Sequence, residues 1–278
     1  MPTETKLAVA GATGRLGPHL VDVLTERGHD VVPISRKHGV DVITGEGLDG
    51  ALAGVNTVVD ATTPGSPEQE AATKFFTTAP RNLQDAGERA GVRRIVLVSI
   101  IGCDRFSGGG SRGGFYVAKV AQERAYRGGP IPAQILRAAQ FDEFVSQLLD
   151  WTTQGDVAYV PAMRTQLIAA RSVAEALADL ATTSDAAEPS VPIPEITGPR
   201  VERLVDAAGL LAARRGRPAR FEETSDPDDP DRDLFVGDGL LPGPHAKLAG
   251  PTFEDWLRTQ AVGETDARDV LVSTSTAR

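Results

Sequence analysis

Early in the chain, Lys6-Leu-Ala-Val-Ala10 runs directly into Gly11-Ala-Thr-Gly14-Arg-Leu-Gly17. Pro18 to Arg27 follows, with Leu20, Val21, Val23 and Leu24 at near-helical spacing. A short apolar run that meets glycine at once reads as a buried parallel strand. The three glycines then serve different ends. One allows the sharp turn, one lets a pyrophosphate approach the backbone, and one lets the helix pack closely on the strand. The free N–H groups at the helix start face the phosphates. A glycine triplet alone also serves as a plain turn, but the order strand, glycines, helix favours nucleotide binding.

The rest of the first half alternates in the same way. His29 to Ser35 reads as a second strand, Val40 to Ile43 as a short third one, and Leu48 to Leu52 as a weak helix. Asn56 to Ala61 is a strand closed by Thr62, Thr63, Pro64 and Gly65. A helix covers Glu70 to Ala90, interrupted at Pro80. Arg94 to Ile101 is the most apolar strand, Val117 to Tyr126 is helical, and Ala133 to Arg137 is a further strand. Strands and helices alternating at this spacing predict an α/β fold with a doubly wound parallel sheet and helices on both faces. After about residue 140 the rhythm changes. Helices are expected over Val173–Thr182, Val201–Arg215 and Thr252–Gln260, with an exposed Pro/Asp loop over Ser225–Asp233. The expected organisation is a nucleotide-binding unit over 1–140, a smaller substrate-covering region over 141–261, and a loose tail over 262–278.

Composition narrows the function classes. With 38 acidic against 29 basic residues the formal charge is −9, which argues against gripping nucleic acid through its phosphates. A single cysteine, Cys103, forbids an intrachain disulfide and fits a reducing cytoplasm. No apolar run approaches the roughly 18 residues of a spanning helix, and Met1 to Lys6 shows no signal pattern. The four histidines are scattered, and no Cys/His spacing resembles a metal site. The expectation is therefore a cytoplasmic protein with a small-molecule substrate, no membrane, no nucleic acid and no metal, and with homo-oligomerisation left open.

The Gly-x-x-Gly-x-x-Gly spacing at Gly11–Gly17 resembles the short-chain dehydrogenase/reductase superfamily, and more narrowly its atypical branch of NmrA-like and quinone-reductase-like proteins. The resemblance extends over nearly the whole chain. Arg94-Ile-Val-Leu-Val-Ser99 looks like the family's fifth strand, Phe115-Tyr-Val-Ala-Lys119 like its active-site helix, and Ile135-Leu-Arg-Ala-Ala-Gln-Phe141 like its sixth strand and the start of the substrate region. Ile196-Thr-Gly-Pro199 and Thr252-Phe-Glu-Asp-Trp256 are weaker matches. The resemblance implies a Rossmann-type sheet with a smaller C-terminal part over the substrate cleft. It also implies a nicotinamide cofactor held by Gly11, Thr13, Gly14, Arg15, Leu16 and Gly17, with Thr62 and Thr63 on the adenine and ribose side. Turn formation is the other reading of that threonine pair.

An acidic residue after the second strand would take the ribose hydroxyls of NAD, whereas arginine there meets the extra phosphate of NADP. This chain has Ser35-Arg36-Lys37, and Arg15 is a second candidate for the same phosphate. NADP(H) is the expected cofactor. Family reductases use Ser, Tyr and Lys, with the tyrosine four residues before the lysine on one helix face. Here Phe115 stands four before Lys119, and Tyr116, three before, is rotated about 100° from Phe115. The usual proton donor is missing. Lys119 keeps a cofactor-positioning role by the resemblance, and Ser99 matches the end-of-strand position. Tyr116 remains a candidate acid only if the helix shifts register.

Gly102 to Gly114 reads as a mobile flap beside the cleft, with a disordered connector as the other reading. Within it Cys103 is either incidental or a reactive thiol, the former favoured. Ile101, Phe115, Gln140, Phe141 and Phe144 are expected along the substrate side, with Trp151, Tyr159 and Met163 as a far wall. The leading functional expectation is an NADPH-dependent oxidoreductase passing hydride to a quinone, enone or similar acceptor. A non-catalytic NADP(H)-sensing regulator is the runner-up, and a sugar-nucleotide epimerase or dehydratase is third.

Overall fold

The computed structural model describes residues 5–108, 112–183 and 192–260. In chain order the first elements are β1 (Lys6–Ala10), α1 (Gly17–Glu26), β2 (Asp30–Ile34), α2 (Leu48–Ala51), β3 (Thr57–Asp60), α3 (Gln69–Ala90), β4 (Arg94–Ile100), α4 (Gly114–Arg127) and β5 (Ala133–Ala138). They are followed by α5 (Asp142–Thr152), β6 (Thr153–Gln154), β7 (Val157–Pro161), β8 (Arg164–Thr165), α6 (Ala170–Thr182), β9 (Glu195–Thr197), β10 (Glu202–Arg203) and α7 (Leu204–Arg215). The last are β11 (Arg220–Thr224), α8 (Arg232–Val236), β12 (Lys247–Leu248) and α9 (Phe253–Thr259).

Seven strands form one parallel sheet in the order β12-β9-β5-β4-β3-β1-β2. Alternate side chains of its central strands go to opposite faces. Val96 and Val98 enter the core under α1 and α6, whereas Ile95 and Leu97 enter the core with Leu83 of α3 and Tyr126 of α4. The chain goes outward from β1 to β2 and then returns to β3 on the other side of β1. That reversal is where doubly wound sheets bind ligands, outside the carboxyl ends of the strands.

The expected short strand at Val40–Ile43 is instead a turn. The Asp41 carboxylate accepts from the Ile43 and Thr44 amides, and Asn82 Nδ2 donates to the carbonyls of Val42 and Ile43. Side chains thus satisfy the groups a neighbouring strand would have paired. Pro80 does not interrupt α3, which is continuous over Gln69–Ala90. An interior proline costs about 3 kcal/mol. Burial of Phe76, Ala79 and Leu83 on one stripe of the same helix offsets it.

A second core joins Val145, Leu148 and Leu149 of α5 with α7, α9 and β7. Cys103, Phe106 and Tyr116 from the first half also belong to it. The second half is not one contiguous block, since α6, β9 and β12 return to the central sheet. The Pro/Asp segment expected as an exposed loop is partly interior: Asp229 and Asp231 are buried, and Arg232 already starts α8. Among the described residues no helix is long and apolar enough to cross a membrane. The expected tail over 262–278 lies outside the described residues.

Candidate nucleotide site and active-site helix

The glycine loop sits between β1 and α1, beside the carboxyl end of β3. Gly11 has φ +81°, and a Cβ added there would lie 2.6 Å from the Ala61 carbonyl oxygen. A Cβ on Gly17 would lie 2.1 Å from the Gly11 carbonyl oxygen. At Gly14 the nearest atom to such a Cβ is the Gly11 oxygen at 3.3 Å, so its outer side is open. Two glycines are thus required by the fold, and the third leaves the backbone accessible. No side chain caps the start of α1. Its first-turn amides therefore suit a pyrophosphate, and the loop fits a dinucleotide.

At the end of β2, Ser35 Oγ and His38 Nδ1 are 2.8 Å apart, and no carboxylate occupies the position after the strand. Arg36 and Lys37 are exposed on the short turn that follows. The Arg15 charge helps to lower the Glu143 carboxyl, against the larger effect of burial. Thr62 is buried with its backbone N–H donating to Asp60 Oδ1 at 2.8 Å, whereas Thr63 is exposed.

α4 presents two chemically different faces. Phe115 and Lys119 share one of them. The Phe115 ring meets Phe76 edge-on at 5.6 Å, and Lys119 Nζ lies 4.7 Å from the same ring centroid. Lys119 Nζ donates to Gln122 Oε1 at 2.6 Å, and Gln122 Nε2 donates to Asp60 Oδ2 at 2.9 Å. Tyr126 Oη donates to the same oxygen at 2.6 Å. Burial pushes the Lys119 amine down to about 8, against the opposing pull of Asp60.

Tyr116 belongs to the other face. It stacks on Phe106 with centroids 4.2 Å apart, meets Phe235 edge-on, and shares a hydrogen bond with the Gln140 side chain. Burial holds its hydroxyl well above the usual tyrosine range. Gln140 Oε1 in turn accepts from Thr165 Oγ1.

Ser99 points into the interior between β4 and α4. Its hydroxyl donates to Glu123 Oε1 at 2.6 Å. Arg137 grips Glu123 with Nε on Oε1 and Nη2 on Oε2, each at 2.9 Å, and reaches Asp104 at 2.8 Å. Burial pushes the Glu123 carboxyl up, but Arg137 and Ser99 outweigh it and leave it below the usual carboxylate range. Ser99 is thus engaged in a structural network at this end of the sheet. Cys103 is buried beside that network. Burial and the Glu123 charge push its thiol up to about 12, so it is not a reactive thiolate.

Of the expected substrate residues, Ile101 is fully buried in the core under α1. Phe141 bridges to Ile168 and packs on that same core, and Phe144 packs on the second core. Trp151 is 64% exposed, Met163 is buried and Tyr159 half-buried. The flap is held along its first described part, 102–108. Arg105 Nη1 donates to the carbonyls of Asp238 and Gly239, and Asp231 accepts from Ser107 N, Ser107 Oγ and Gly108 N at 2.7–3.1 Å. Residues 109–111, within it, lie outside the described residues.

A family model for NAD(P)H-binding proteins matches residues 11–184, from the first glycine of the loop past the end of α6. The chain belongs to this NAD(P)H-binding family. No curated protein matches it. Among solved structures, MoeE5 in complex with UDP-glucose and NAD is 20% identical, with 95% of this chain and 99% of that chain covered and a TM-score of 0.70. The UDP-N-acetylglucosamine 4-epimerase from Bacillus cereus is 17% identical, covering 94% and 95%, with a TM-score of 0.63. A short-chain dehydrogenase/reductase superfamily protein from Agrobacterium tumefaciens with bound NAD is 18% identical, covering 91% and 95%, also at 0.63. At these identities the likeness establishes the fold: this NAD(P)H-binding protein shares the Rossmann-type α/β architecture of these three structures.

Sequence reasoning alone missed the polar residues that hold α4 in this NAD(P)H-binding protein. Gln122 and Glu123 are neighbours on α4, but their partners Asp60 and Arg137 lie 62 and 14 residues away and are met only when α4 packs against β3 and β5. One signal was present: Lys119 and Glu123 are four residues apart, but a helical i,i+4 pair of opposite charge reads first as a surface ion pair.

Proposed function

We propose that the protein is an NADPH-dependent oxidoreductase that reduces a small organic acceptor, a quinone or enone, with the proton drawn from water. The observation that carries this reading is Phe115. It occupies the place of the proton-donating tyrosine on the face it shares with Lys119, while Tyr116 is turned into the second core. A phenyl ring has no proton to give, so an acceptor whose reduced form is protonated from water suits this site better than one that needs a positioned acid. The cofactor supplies the hydride. The chain's own residues bind and orient: the loop amides around Gly14 take the pyrophosphate, Arg36 and Lys37 take the ribose phosphate of NADP, and Lys119 takes the nicotinamide ribose. Phe115 and Phe76 form an apolar wall beside Lys119. The atypical, NmrA-like branch is the best frame for such a site, and the cytoplasm its place of action.

The test is NADPH consumption with a panel of quinones, enones and imines. Turnover of one class supports the reading. No turnover with any acceptor, together with tight NADPH binding, favours the nucleotide-sensing alternative.

A second reading, a sugar-nucleotide epimerase or dehydratase, is favoured by one observation: the likeness to MoeE5 bound to UDP-glucose and NAD extends over 95% of this chain, including the C-terminal part. Phe115 counts against it, because such chemistry draws a proton from a sugar hydroxyl and needs a base. Conversion of UDP-glucose or UDP-N-acetylglucosamine in the presence of NAD would establish it.

A further inference from the structure

Asp142 opens α5, two residues beyond Gln140. It is fully buried, and among the described residues neither of its carboxylate oxygens has a hydrogen-bond partner. Anions at a helix start are ordinarily stabilised by its amides, but no amide reaches these oxygens. The adjacent Glu143 is served: both of its oxygens accept from Ala170 N, at 3.1 and 3.3 Å. Glu202 of β10 brings a third carboxylate to the same place, with Oε2 buried and unpartnered and Oε1 3.5 Å from Arg200. The cations of the neighbourhood are therefore committed elsewhere. Arg15 acts on Glu143 and Arg200 on Glu202. The charges that act on Asp142 itself are Glu143, on its own helix, and Glu202, on β10, both negative.

An unpaired ion cannot be kept in such a place. A buried carboxyl group without partners takes up a proton. We infer that Asp142 is a neutral carboxylic acid in the folded protein at neutral pH, and that its ionisation loosens the junction between α5 and β10, which makes this junction a pH-sensitive clasp on the C-terminal part.

Burial first, then the Glu143 and Glu202 charges, push the Asp142 carboxyl from 3.8 up to about 8. Below the lower value both folded and unfolded chains hold the proton. Between the two values the unfolded chain has released it and the folded one has not, so stability falls as pH rises. Above about 8 the folded chain carries three negative charges at one point. α5 bears Phe144 and packs on β7 and α7, so loosening at its start is transmitted to the second core.

The experiment compares wild type, Asp142→Asn and Glu202→Gln by chemical unfolding across this pH range and by hydrogen exchange of the α5 amides. Relative to Asp142→Asn, the wild-type ratio of folded to unfolded chains should fall by up to about tenfold per pH unit between the two values. Above pH 8 the wild-type α5 amides should lose protection that Asp142→Asn retains. Glu202→Gln, with one negative neighbour removed, should move the wild-type transition to lower pH. Infrared spectra of the wild type should show the carbonyl band of a buried carboxylic acid at neutral pH, and this reading does not depend on any variant folding. Absence of that band, or parallel pH dependence in wild type and Asp142→Asn, overturns the inference.

Discussion

The Ser99 hydroxyl donates a 2.6 Å hydrogen bond to Glu123 Oε1, and Arg137 holds both oxygens of that same carboxylate. A serine at the end of the strand that precedes the active-site helix is thereby used to fasten that helix to the sheet. Hydrogen bonds to charged groups contribute about 1.5–3 kcal/mol. Ser99→Ala should therefore lower unfolding stability by that order while changing NADPH affinity less than tenfold. Glu123→Ala should cost more, about 3–5 kcal/mol, because it leaves the buried Arg137 with only Asp104. Denaturant titrations alongside cofactor binding check both.

Glu123 also sets an acid limit. Its carboxyl is held below the usual carboxylate value of 4.5. The stability it contributes is present above that value and is lost as pH falls through its folded-state value. Glu123→Gln should show a flatter decline in stability on acidification than wild type, measured by unfolding at successive pH values below 5.

Tyr116→Phe should keep most activity on any acceptor the wild type reduces. The tyrosine is stacked on Phe106, its hydroxyl is tied to Gln140, and burial holds its proton tightly. A positioned general acid contributes about 10²–10⁴-fold. A loss of that size in a variant that still binds NADPH would restore a mechanism through Ser99, Tyr116 and Lys119.

Lys119→Met should separate stability from binding. The Lys119 amine is displaced from 10.5 to about 8, chiefly by burial, which corresponds to about 3 kcal/mol held against folding at neutral pH. For a lysine lowered in the folded state, that penalty is present below its folded value and relieved as pH rises through the window above it. The methionine variant should unfold at higher denaturant concentration than wild type at pH 7, with the gap narrowing above pH 8. Its affinity for the nucleotide should fall. Unchanged affinity would mean that the amine never reaches the cofactor.

Arg36→Ala should weaken NADPH binding by roughly ten- to hundredfold, as expected for a charge-assisted contact of about 1.5–3 kcal/mol. NADH binding should be nearly unaffected, and calorimetry with both nucleotides reads the difference directly. Equal affinity of the wild type for NADH and NADPH would remove the basis for the NADP assignment.

The nucleotide-binding architecture was legible in the primary structure because it rests on local rules. The step from Ala10 to Gly11 and the 3.6-residue spacing of Leu20, Val23 and Leu24 follow from backbone geometry within a few residues. So does the opposition of Phe115 and Tyr116, since 100° per residue separates them before any packing is known. Val40–Ile43 shows the limit of such rules: its apolar residues suit a strand, but Asn82, on a helix that folds back from further along the chain, takes the carbonyls first. Direction and protonation belong to the tertiary structure. Ser99 is occupied by Glu123, and Asp142 is left unpaired near two carboxylates. Glu123, for Ser99, and Glu202, for Asp142, each come from a separate element. Burial and electrostatic energy depend on which elements pack together, and a linear pattern of residue types does not contain that information.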